Sequence, residues 1–222
     1  MKIINDLKII KKYQRSVVAV GNFDGIHLGH RKVINQGRLK AKKENLAFGV
    51  ITFEPLPVMF FNKNIKNHRI NSLDQKKNEL KKLNLDFLII IKFNKFFSKL
   101  SAQDFIKKII YEKIKCKFLY VSNNFRFGNK RKGNINTLKK YAKKFDYKIV
   151  ITKPFKKKSK IISSTIIRRL ISNGDISKTS NLLSRNWSIC GRVVKGEKRG
   201  RKIGFPTCNL EIKDYVIPKL GV

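Results

Sequence analysis

Residues 17–30 read VVAVGNFDGIHLGH, from Val17 through Gly21, Asn22, Phe23 and Asp24 to His27, Gly29 and His30, and this stretch decides the fold. Four apolar residues suit a buried strand, expected over residues 16–22, and the segment beyond, residues 28–43, has the composition of a helix. Glycines punctuate the turn between them. Two histidines three positions apart bracket Gly29 at the point where strand gives way to helix. Such a turn points backbone amides and two imidazoles into one small volume, as a polyphosphate site requires. Histidine can neutralise phosphate charge that builds up only in a transition state, so His27 and His30 are catalytic candidates. Asp24 fits a brace for the loop or an orienting partner for an imidazole, and it fits a plain turn residue equally well.

Outward from this motif, apolar runs alternate with helical stretches. Strands are expected over residues 46–53, 86–93, 117–122 and 147–152, the first ending in the turn Glu54-Pro55-Leu56-Pro57. Ser72 with Gln75 three positions on forms a capping box, so a helix should begin there. Ser101 should cap another, and residues 135–145 a third. Alternation of this length implies an α/β fold, a parallel sheet with helices on both sides, whose ligands sit beyond the carboxyl ends of the strands. After Pro154 the texture changes. Residues 156–160, KKKSK, read as an exposed loop, and two short helices are expected over 165–172 and 176–183. From Trp187 the chain reads as β-rich and glycine-punctuated. A domain boundary is expected near residues 184–186, dividing the chain into 1–184 and 185–222; so short a second part is too small for an independent barrel.

The net charge of +38 looks like a nucleic-acid signal. Its lysines, however, are spread along the whole chain, which speaks for a solvated surface over a dedicated nucleic-acid face. No specific nucleic-acid partner is expected. No apolar run approaches the roughly 20 residues of a membrane span, and charges interrupt every apolar pair of the N-terminal MKIINDLKIIKKYQRS. Neither a membrane association nor a secretion signal is expected, and a cytoplasmic location follows by default. Cys116, Cys190 and Cys208 lie far apart with no CxxC spacing, which fits free thiols.

A second constellation, Ser163-Ser164-Thr165-Ile166-Ile167-Arg168, places three hydroxyl residues before an apolar helical run. Its amides and hydroxyls suit an anion, and Arg168, one turn in, could reach a phosphate with two donors. An ordinary helix cap would look the same in isolation. Asn124, Phe125, Arg126 and Phe127 follow an expected strand end, where a ring could stack and an amide could hydrogen-bond; the plainer reading is a turn packed by two phenylalanines.

These motifs, in this order, resemble the bacterial bifunctional riboflavin kinase/FAD synthetase family, whose first half is a Rossmann-like HxGH nucleotidyltransferase. Residues 18–30 match its nucleotide motif, 52–57 its TFEPHP-like turn and 124–128 its (D/N)FRFG motif. Residues 162–168 match its ISSTxxR segment, 182–185 its LLGR junction, and 191–210 the GFPTxNL-bearing start of a small antiparallel β-barrel, the riboflavin kinase domain. The resemblance implies transfer of AMP from ATP to the phosphate of FMN, with release of pyrophosphate and with Mg²⁺ as cofactor. His27, His30 and Arg168 would be the catalytic residues. Gly21, Asn22, Phe23, Asp24, Gly29, Ser163, Ser164 and Thr165 would bind ATP, and Asn124, Phe125, Arg126 and Phe127 would bind FMN. In the kinase half, Gly204, Thr207 and Asn209 would meet nucleotide, with Thr207 and Asn209 as metal ligands and riboflavin as substrate. The chain ends at Leu220-Gly221-Val222, before the family's remaining barrel strands and catalytic glutamate, so kinase activity is not expected of it alone. Three positions depart from the pattern: Leu56 replaces a histidine, and Ser122 and Ser184 replace glycines. A different HxGH nucleotidyltransferase would lack the GFPTCNL motif, and an RNA-binding protein would cluster its basic and aromatic residues on one face.

Overall fold

The computed structural model describes residues 1–5, 11–157, 160–197 and 199–219. Its centre is a six-stranded, wholly parallel sheet. The strands are β1 (Lys2–Ile4), β2 (Val17–Val20), β3 (Phe48–Glu54), β4 (Phe87–Lys92), β5 (Phe118–Ser122) and β6 (Lys148–Thr152), in the order β1-β4-β3-β2-β5-β6. Val17 pairs with Phe48 on one side and Phe118 on the other. The chain runs from β2 outward through β3 and β4, then returns to β5 on the opposite flank. The order therefore reverses beside β2, and the carboxyl end of β2, where Gly21 begins, is the crevice such sheets offer a ligand.

Strand side chains alternate between two cores, as a sheet covered on both faces requires. Val18 and Val20 pack with Ile51, Phe53 and Ile89 on one face, and Val17 and Ala19 with Phe48, Val50 and Leu88 on the other. Gly49 has no room for a side chain: a Cβ would lie 2.2 Å from the ring of Phe87.

The helices are α1 (Leu28–Lys43), α2 (Pro57–Phe61), α3 (Leu73–Lys81), α4 (Lys95–Ser98), α5 (Ala102–Asp104), α6 (Ile135–Ala142), α7 (Ser164–Ser172), α8 (Ile176–Leu183) and α9 (Arg199–Lys202). A wider helical coil, Phe105–Ile114, continues α5. The capping box of Ser72 and Gln75 is present at α3, and Ser101 Oγ accepts from the Asp104 amide at 2.9 Å.

Several expectations change. Val17–Val20 is the second strand, because Lys2–Ile4 adds an edge strand on β4 despite its interrupting charge; only Ile4 is buried. Residues 6–10 of that N-terminal stretch lie outside the described residues. The stretch 156–160 is not a simple loop: β7 (Lys156–Lys157) and β8 (Lys160–Ile161) pair antiparallel around residues 158–159, which lie outside the described residues. The turn at Pro57 continues into α2, since proline suits a first helical position. The β-rich tail contains β9 (Arg192–Val194) and β10 (Asn209–Glu211), antiparallel, with α9 inside its glycine-rich stretch. Residues 198 and 220–222, including the terminal Leu220-Gly221-Val222, lie outside the described residues.

Ser184 closes α8 with φ 55°, a left-handed conformation in which glycine is the usual residue. Its Cβ costs about 1 kcal/mol there, so Ser184→Gly should stabilise the fold by about that amount in urea unfolding. No gain, or a loss, would mean that the serine side chain supplies a compensating contact.

Candidate functional site

The turn after β2 is held in an unusual backbone. Phe23, Gly25 and Ile26 have φ of 47°, 86° and 45°. A fully buried, β-branched Ile26 in that region is strained, and such strain concentrates at binding loops. Among the described residues, the backbone amides of Asn22 through His27 donate to no protein acceptor, whereas Gly21 N–H bonds Ile51 at 3.1 Å. A run of unpaired amides leading into the 16-residue helix α1 is an anion cradle.

His27 caps α1: its Nδ1 accepts from the His30 amide at 3.3 Å, which leaves the neutral ring's proton on Nε2 as a free donor. The His27 and His30 rings stack with centroids 3.7 Å apart, and Phe23 packs on His30 at 5.1 Å. Gly29 lets the His27 ring lie close, since a Cβ would sit 3.1 Å from its Cε1 and Nδ1. His30 Nδ1 is enclosed and has no partner among the described residues. Burial, and then the Arg168 charge, push His27 down to about 4. Burial, followed by the charges of His27, Lys76 and Arg168, holds His30 well below its ordinary value. Both rings are therefore neutral donors at pH 7, surrounded by positive charge that favours an arriving phosphate.

The folded pKa of His27 lies below its unfolded value of 6.5, so the unfolded chain binds the extra proton as pH falls. Stability is full above pH 6.5 and declines towards pH 4, with His30 acting in the same direction. Urea unfolding should show a loss of at least about 2 kcal/mol between pH 7 and 5, made shallower by His27→Asn but not abolished, because His30 still titrates in the same direction. An unchanged slope in that variant would assign the decline to other groups.

Asp24 is the brace. It is 1 % exposed, accepts from the Ile70 amide at 3.2 Å, and pairs with Arg168 Nη2 at 2.7 Å. Its own carbonyl accepts from Ser164 Oγ at 2.9 Å. Arg168 Nε donates to the His68 carbonyl at 2.8 Å. The Ser163–Arg168 segment thus docks directly on the loop 140 residues earlier, joining the two constellations. Its hydroxyls divide their work: Ser163 caps α7, Ser164 ties to Asp24, and exposed Thr165 remains open.

Asn124 and Arg126 are exposed beyond β5, and Ser122 Oγ donates to Asn124 Oδ1 at 2.8 Å, which turns the amide nitrogen outward. Phe127 is 7 % exposed and paired to Gly133, so it belongs to the core; half-buried Phe125 stacks on it at 5.5 Å. Unforeseen in the sequence, a chain of rings links exposed Phe61 through Phe93, Phe97 and Phe105 to Phe127 and Phe125. Also unforeseen, Lys76 and Thr52 both donate to the Asn22 carbonyl, at 3.1 and 2.9 Å. Glu79 on α3 pairs with Arg31 at 2.8 Å and Arg185 at 3.6 Å. Arg185 also donates to the Gly25 carbonyl at 2.8 Å. Thr52 and Arg185 stand in the turn and junction motifs at 52–57 and 182–185, which gave neither a role, and no sequence pattern separates Lys76 or Arg31 from the many surface lysines and arginines.

In the tail, Thr207 and Asn209 are exposed and lie against the glycine-rich stretch: side chains at Gly200 and Gly196 would meet them at 3.1 and 2.0 Å. Gly204 has φ 82° with open space around it. Among the described residues, no helix is long and apolar enough to cross a membrane, and all three cysteines are free.

A family model described as FAD synthetase matches residues 9–166, and one described as riboflavin kinase matches residues 183–222. The bifunctional riboflavin kinase/FMN adenylyltransferase of Buchnera aphidicola subsp. Acyrthosiphon pisum (strain APS) is 43 % identical over 223 residues, spanning 100 % of this chain and 71 % of that protein. The enzyme of the same name from Escherichia coli (strain K12) is 34 % identical, over 93 % of this chain and 66 % of its own length. A crystal structure described as a macrolide-efflux protein from Streptococcus pneumoniae superposes with a TM-score of 0.82 at 29 % identity, covering 99 % of this chain and 71 % of that one. With the HxGH turn at the switch point of a parallel sheet, its serine-arginine partner docked on it and a small antiparallel pair beginning after Arg185, the chain belongs to the bifunctional riboflavin kinase/FMN adenylyltransferase family.

Proposed function

We propose that the first 184 residues transfer AMP from ATP to FMN, giving FAD and pyrophosphate. The observation that carries this reading is the unpaired amide cradle closed by stacked, neutral His27 and His30 at the carboxyl end of β2. A phosphate oxygen of FMN attacks the α-phosphorus of ATP in line, and the bond to the departing pyrophosphate breaks, so no protein nucleophile is needed. The loop amides and the N–H groups of His27 and His30 receive the charge that moves onto the leaving group. Arg168 holds α7 on the loop through Asp24 and offers its remaining nitrogen, Nη1, to phosphate, beside Thr165. Exposed Asn124 and Arg126 and half-buried Phe125 at the next strand end suit the flavin, with Phe127 supporting Phe125 from the core.

Among the described residues no three His, Cys, Asp or Glu side chains are grouped to hold a metal, and Asp24 is committed to Arg168 and Ile70. The site therefore does not fit a Mg²⁺ caged by protein carboxylates. Any Mg²⁺ that accompanies ATP would be held chiefly by the nucleotide and would offset phosphate charge, with the loop amides, His27 and His30 as this chain's own contribution. Residues 185–222 are read as the opening of the riboflavin kinase domain, with Gly204, Thr207 and Asn209 on its nucleotide side. Three free cysteines fit a reducing, cytoplasmic setting. Incubation with ATP, Mg²⁺ and either FMN or another phosphorylated acceptor, followed by chromatography, tests the acceptor. FAD should form from FMN; a product from the other acceptor alone would point to a different HxGH nucleotidyltransferase.

A further inference from the structure

Lys76 is fully buried, although lysine is almost never so placed without a partner. It lies on α3, and its one acceptor among the described residues is the Asn22 carbonyl, 3.1 Å away. Thr52 Oγ1, from β3, donates to the same oxygen at 2.9 Å. An ammonium carries three donors, and burying it beside a single carbonyl is costly unless the arrangement has a use. Two elements thus converge on one backbone oxygen, at the first residue of the amide cradle.

The geometry of a trans peptide says what that convergence does. The carbonyl of Asn22 and the amide of Phe23 belong to one planar unit and point in opposite directions. Drawing the carbonyl inward turns the Phe23 N–H outward, and that N–H has no acceptor among the described residues. It also helps to hold Phe23 at φ 47°, against the His30 ring. We infer that Lys76 is a positioning residue for the nucleotide: its buried ammonium, with Thr52, locks the Asn22–Phe23 peptide so that the loop amides are already aimed when the phosphates arrive. The inference rests on the adenylyltransferase reading above. Burial lowers the pKa of this ammonium below the ordinary lysine value, a shift that the carboxylates of Asp24 and Glu54 offset only in part and to which Arg69 adds.

The test uses the full chain, with FAD formation by the unaltered protein as the control for the adenylyltransferase reading itself. Lys76→Met keeps the length of the side chain and removes the charge; a hydrophobic replacement of a buried charge is often tolerated by the fold. It should lower kcat/KM for ATP by about 100-fold, with KM for FMN changed by less than about threefold, because misaimed groups cost rate without removing the flavin site. Thr52→Val should produce a smaller loss of the same ATP-only kind. The double variant should lose less than the product of the two, since both act through one oxygen. If the control makes FAD but Lys76→Met keeps its kcat/KM for ATP, the inference fails. It also fails if ATP and FMN terms fall equally together with the melting temperature, or if the two losses multiply fully.

Discussion

Replacing His30 by alanine should lower the turnover of FAD formation by about 10²–10³-fold, the range seen when one donor to a developing oxyanion is removed. His30 occupies the third position of α1, where its backbone N–H still donates to His27 Nδ1 after the substitution. The His27 tautomer is therefore retained, and the loss belongs to the His30 ring. FMN affinity should change little, because the flavin candidates, exposed Asn124 and Arg126 with half-buried Phe125, lie beyond β5. Steady-state kinetics with both substrates varied, together with FMN titration, separates the cases. Equal losses of turnover and FMN affinity would show that the imidazole serves the fold, filling the space between Phe23 and His27.

Asp24→Ala should have the largest effect on stability. Its carboxylate is buried, bonds the Ile70 amide and pairs with Arg168, whose side chain is 21 % exposed. Removing one partner of a buried pair strands the other, at about 3 kcal/mol here, the lower end of the range because Arg168 retains some solvent. Asp24→Asn keeps the shape and one acceptor and should lose less. Urea unfolding measures both, and a double-variant cycle with Arg168→Ala should give a coupling of at least about 1 kcal/mol. A loss below that for Asp24→Ala would mean that α7 is not held to the loop through this pair.

The sheet was legible because its strands are buried on both faces: VVAV, LAFGVITF and DFLIIIKF are too apolar to sit at a surface, and α3, between the last two, carries the Ser72–Gln75 capping box. Of the two edges, β6 was legible over residues 147–152, whereas β1 and the small β7–β8 pair were not. Lys2–Ile4 contributes one buried residue, so its pattern carries almost no periodic signal, and β7 and β8 are held by two pairings. In the site, His27 and His30 could be read from their spacing at a strand-to-helix turn. Lys76, Thr52 and Arg185 could not, because what distinguishes them is where α3, β3 and the end of α8 come together. Asp24 illustrates the middle case: the sequence left it open between brace and turn residue, and its contacts with Ile70 and Arg168 make it a brace. Ser184 carries a further trace of the junction, a serine in a conformation that suits the glycine it replaces.

Direct transfer is tested most simply with ATP labelled at the α-phosphate, unlabelled FMN and Mg²⁺. The label should appear in FAD, in equal amount to the pyrophosphate released, with none retained on the protein at any time. Label on the protein, or pyrophosphate without labelled FAD, would contradict in-line transfer between the two substrates in the His27–His30 cradle.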